Sequence, residues 1–89
     1  MTECVITPEQ SRAGRALLGW SQQELAARAK VAKQTLADFE RGARNPYYRT
    51  LTDIRAALET GGVAFIGSGE TSEGGGTGVR LKQEISGSG

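Results

Sequence analysis

The sequence predicts a mainly α fold: four short helices, then a short β-hairpin or pair of strands. Three observations predict it. Apolar residues recur at helical spacing in successive stretches as far as Thr60. Threonine, serine and glycine punctuate those stretches at positions that start and stop helices. After Gly61-Gly62 the pattern changes to short runs that alternate apolar with polar residues.

Thr7-Pro8-Glu9 reads as the first start, with a capping threonine, proline at the first helical position and an acid near the positive helix end. Ala13, Ala16, Leu17 and Trp20 then share a spacing expected of one buried face, and Gly19 is the expected stop. Ser21 caps the second helix, with Glu24 three residues on in a capping-box pattern. Leu25, Ala26 and Ala29 form its inward face, Ala26 being small enough for a close helix approach. Leu36 and Phe39 belong to a different phase, so a turn at Lys30–Ala32 must reset the helix. The third helix is expected from Lys33 to Arg41, ended by Gly42. Residues 43–46 form a loop. The fourth helix runs from Tyr48 to Thr60 on Leu51, Ile54, Ala57 and Leu58, with Gly61-Gly62 as its stop.

Val63 to Gly67, "VAFIG", is strand-like, and so is "GVRLKQEI", where Val79, Leu81 and Ile85 alternate with Arg80, Lys82 and Glu84. The glycine-rich "GSGETSEGGGTG" between them is expected to be a mobile loop, and "SGSG" at 86–89 a disordered, low-complexity tail. The organisation expected is a helical domain over 1–62, a strand element over 63–85 and the tail over 86–89.

Composition excludes several classes. The chain has 89 residues, the size of one small domain. One cysteine, Cys4, excludes an internal disulfide, and the absence of histidine removes the usual zinc sites and histidine-based catalysis. No cofactor is expected. There is no apolar run long enough to span a membrane, and "MTECVITPEQ" has neither region of a secretory signal. A cytoplasmic non-enzyme is the expectation. The net charge of +1 hides an asymmetry. Between Arg28 and Arg49, Arg28, Lys30, Lys33, Arg41, Arg44 and Arg49 face only Asp38 and Glu40. Such a local positive field suits an anionic partner, although a solvated helix surface would look the same.

Helix, tight turn, helix is the arrangement whose second helix enters the DNA major groove. "GWSQQELAARA", the apolar Val31, Leu36 and Phe39, and "ERGARNP" together resemble the Cro/repressor-type helix-turn-helix domains of phage repressors and small bacterial regulators, the XRE family. The resemblance covers about Pro8 to Thr60. Two departures stand out. The family's usual turn glycine is Lys30, at a cost of roughly 1 kcal/mol if the backbone is left-handed. The usual capping serine or threonine of the second helix is Ala32.

The resemblance implies double-stranded DNA as partner and assigns roles. Lys33, Gln34 and Thr35 would lie in the first turn of the recognition helix. Gln34 suits a bidentate bond to adenine, Lys33 a guanine or a phosphate, Ala37 a thymine methyl and Asp38 the N4 of cytosine. Gln22 would meet a phosphate at a helix start, and Arg41, Arg44, Asn45, Tyr48 and Arg49 the backbone across the groove. Tyr47 and Tyr48 read equally well as packing residues. Arg15 would pair with Glu40 as a structural ion pair. One recognition helix makes few base contacts, so a homodimer reading a palindrome is expected, joined partly through Val63–Gly67 and Gly78–Gln83. Whether those strands pair within a chain or across a dimer stays open. The rival function is a protein-interaction module that binds a partner regulator or a toxin. An enzyme has no composed site to work with, and an architectural DNA binder would carry far more lysine.

Overall fold

The computed structural model describes residues 5–66 and 78–82. Four helices, α1 (Pro8–Leu18), α2 (Gln22–Ala29), α3 (Lys33–Glu40) and α4 (Tyr48–Gly61), precede two strands, β1 (Val63–Ile66) and β2 (Gly78–Leu81). Of the expected loop over 67–78, residues 67–77 lie outside the described residues, as do Gln83, Glu84, Ile85 and the tail at 86–89.

Local chemistry sets each boundary. Thr7 caps α1 by accepting from the Gln10 N–H, and the Gln10 side chain returns a bond from the Thr7 N–H, both at 3.0 Å. Gly19 closes α1 in the left-handed conformation at φ 72°. Ser21 accepts from the Glu24 N–H at 3.0 Å, whereas the Glu24 carboxylate pairs with Arg28 at 2.5 Å instead of completing the box. Gly62, at φ 118°, ends α4.

The core gathers Ile6, Leu25, Ala26, Ala29, Leu36, Phe39, Leu51, Ile54, Leu58 and Val63. These come from α2, α3, α4, the N-terminal segment and β1, so burying them closes the helices on one another. The apolar face expected of α1 is a correction. Ala13 and Ala16 are exposed and Leu17 is 41% exposed. The face turned inward is Gln10, Ser11 and Gly14. Polar partners and a close approach, rather than hydrophobicity, orient this helix. Ser11 is needed by Glu40, and Gly14 lies where a Cβ would come within 3.2 Å of Leu58 Cδ1. Trp20 is half-buried, its ring under the Arg28 guanidinium at 4.4 Å.

The two strands pair with each other, antiparallel, with Val63 opposite Leu81 and Phe65 opposite Val79. Val63, Phe65 and Val79 join the core while Leu81 stays at the rim, 49% exposed. Gln10 pins the far end of this hairpin, its Nε2 donating to Gly78 O at 3.0 Å and Ile66 O at 3.3 Å. At the near end the Lys82 N–H donates to Gly62 O at 2.7 Å and its ammonium to Glu59 O at 3.0 Å. Arg55 binds Val5 O at 2.9 Å and lies over the Phe65 ring, tying α4 to both the N-terminal segment and β1.

Candidate nucleic-acid interface

The bend between α2 and α3 is built on Lys30. It caps α2 at φ 61°, ψ 43°, the left-handed region that glycine usually supplies. The Lys30 N–H donates to Ala27 O and the Val31 N–H to Ala26 O, which satisfies two of the terminal carbonyls of α2. Ala32 begins α3 with no side-chain cap. The first N–H groups of α3 therefore lack a capping oxygen from the side chain before them.

Burial fixes how α3 faces. Leu36, Phe39 and Glu40 lie inward, at 0%, 3% and 1% exposure. At about 100° per residue, Gln34, Asp38 and Arg41 then stand on the opposite side. Lys33 and Gln34 are exposed, and Thr35, Ala37 and Asp38 are half-buried. Beyond the helix, Arg41, Arg44, Asn45, Tyr47, Tyr48 and Arg49 are all exposed. The tyrosines, at 86% and 71%, are not packing residues. Arg44 reaches back to Thr35 Oγ1 at 3.4 Å.

Glu40 is the anchor. Its carboxylate receives Arg15 Nη2 at 2.7 Å, Arg15 Nε at 3.0 and 3.2 Å, Ser11 Oγ at 2.5 Å and Gln22 Nε2 at 3.1 Å. The Arg12 guanidinium binds the Glu40 carbonyl, and Arg15 Nη1 donates to Trp20 O at 3.2 Å. Burial pushes the Glu40 carboxyl up, but the bonds from Arg15, Ser11 and Gln22 outweigh it and hold the group below its ordinary value. One carboxylate thus locks α1, the start of α2 and the rear of α3 together.

Sequence reasoning linked only Arg15 to Glu40 and missed Ser11, Arg12 and the second use of Gln22. The i, i+4 spacing of Ser11 and Arg15 on α1 is the signal that could have found the serine. Gln22 commits one amide hydrogen to Glu40, so the carboxylate aims its side chain. Beside it, Arg15, Ser21, Gln22, Gln23 and Lys33 line an open depression at the start of α2. Asp38 Oδ1 accepts from both Gln34 and Arg41.

The Helix-turn-helix family model matches residues 12–63, more than half of the chain, and the chain belongs to this family in its Cro/repressor-type form. The family is one of DNA-binding regulatory domains, not of enzymes. No curated protein matches the sequence. Among the described residues, no helix is long and apolar enough to cross a membrane.

Proposed function

We propose that this chain is a sequence-specific transcriptional regulator of the cytoplasm, a small dimeric repressor or autoregulator that reads a palindromic operator. One observation carries the reading: the leading turn of α3 faces solvent while its rear is locked by Leu36, Phe39 and Glu40. A helix held this way can enter the major groove without loosening the core. Lys33, Gln34, Thr35 and Ala37 are the base-facing set. Gln22 and Lys33 suit one phosphate strand, because they line one depression at the start of α2 and a helix N-terminus favours an anion. Arg41, Arg44, Asn45, Tyr48 and Arg49 suit the other. Two copies joined through β1 and β2 would place two α3 helices about one DNA turn apart.

A second reading draws on the same two strands and on exposed Leu81: a module that binds a partner regulator or a toxin. A salt titration separates the two. DNA binding should weaken with a log–log slope of about −0.9 per neutralised phosphate. For six contacts that is about a thousandfold between 50 and 200 mM salt. A flat slope, or no retention on DNA at low salt, favours the protein partner.

A further inference from the structure

At the centre of the exposed side of α3, three residues meet on one oxygen. Gln34 Nε2 donates to Asp38 Oδ1 at 2.9 Å, and Arg41 Nη2 donates to the same atom at 2.8 Å. Gln34 and Asp38 stand at i and i+4 of α3 and Arg41 is its C-cap, so the three remain neighbours as long as α3 is formed. The Asp38 side chain is only 19% exposed, against 66% for Arg41. Hydrogen bonds from Arg41 and then Gln34 hold the Asp38 carboxyl below its ordinary value, so it is ionised at neutral pH. An ionised carboxylate accepts hydrogen bonds and has no proton to give. Only the NH₂ end of Gln34 can face it. An unrestrained glutamine can turn its amide over and exchange donor for acceptor. Gln34 cannot do so without setting its carbonyl oxygen against a negative charge.

We propose that Asp38 is a positioning residue: it fixes the polarity of the Gln34 amide and so restricts Gln34 to adenine. This rests on the reading of α3 as the major-groove helix. With one Nε2 hydrogen held by Asp38, the other hydrogen and Oε1 supply the donor and acceptor that adenine N7 and N6 require. A freed amide could also turn its NH₂ group to guanine O6 or thymine O4. On this proposal Asp38 acts through Gln34 rather than on cytosine, its Oδ1 already accepting from Gln34 and Arg41. Arg41 supplies the opposite charge that lets a carboxylate sit on a face turned toward phosphates.

The test uses the full chain and the duplex it selects from a random pool. Relative affinities for all four base pairs at each position are measured for wild type, Gln34→Ala, Asp38→Ala and Asp38→Asn. Gln34→Ala should relax one position, where wild type prefers adenine. Asp38→Ala should relax that same position, with discrimination falling about tenfold, the scale of one bidentate contact. Asp38→Asn keeps the size of the side chain but adds an amide donor that the Gln34 carbonyl can face, so it should relax that same position too. It also carries the comparison should the alanine variant melt early. Loss of preference at a different position from that of Gln34→Ala would make Asp38 a direct reader and overturn the proposal. So would wild-type preferences at every position in Asp38→Ala, or guanine at the Gln34 position of the wild-type consensus. A wild-type chain that enriches no sequence removes the major-groove reading itself, and the positioning role with it.

Discussion

The Glu40 carboxylate gathers hydrogen bonds from Ser11, Arg15 and Gln22 on one side chain, 2% exposed and paired with an Arg15 that is 19% exposed. Removing one partner of such a pair leaves a charge without compensation, which costs about 3 kcal/mol or more. Glu40→Ala should therefore lower the melting temperature by roughly 15 °C in a domain of this size. A calorimetric scan checks this, and equal melting temperatures would contradict it. The carboxyl also sets an acid limit. Its folded pKa lies below the ordinary 4.5, so its contribution is full above that value. The contribution is lost as pH falls through the depressed folded value. Denaturant unfolding of wild type should weaken progressively below about pH 4.5, and Glu40→Ala should show a shallower fall over the same window. Parallel curves would mean that other carboxylates govern acid unfolding. Little of this network was legible in the sequence. Ser11 and Glu40 are 29 residues apart, and a polar residue that turns inward has the same letter as one that faces water. Arg15 was reached only through family resemblance.

Elements with strong local signals were the legible part. The Thr7 and Ser21 caps, the Gly19 and Gly62 stops and the phase change at Lys30–Ala32 all mark places where backbone conformation depends on nearby residues. The α1 face was misread because Ala13, Ala16 and Leu17 follow a helical period without being needed by the core. Three of its positions instead serve a hydrogen bond, a cap and a close contact. Gly61 is a second such close contact. A Cβ there would fall 2.6 Å from Trp20 Cη2 and 2.9 Å from Leu18 Cδ1. Glycine to alanine inside a helix normally stabilises by up to about 1 kcal/mol. Here the indole must shift, and overpacking costs about 1–3 kcal/mol. Gly61→Ala should thus destabilise, as read by urea unfolding. A gain in stability would show that Trp20 moves aside freely. The end of α1 and the end of α4 would then be less firmly joined than their packing implies.

For the molecule as a whole, the fold separates holding from reading. The core and the Glu40 network grip the rear of α3, and the exposed front carries Lys33 and Gln34. The hairpin seals the other end of the helices through Val63, Phe65 and Val79. No sequence pattern could say that the strands pair with each other within the chain, because the same alternation serves an intermolecular sheet. The placement of α3 was legible because the apolar phase changes between Ala29 and Leu36 and admits few arrangements without a turn, which Lys30 supplies at φ 61° in place of a glycine. The most direct measurement is selection of bound duplexes from a random pool by the wild-type chain. The account predicts a palindromic consensus whose half-sites lie about 10 base pairs apart, centre to centre. Recovery of unenriched sequences would contradict it.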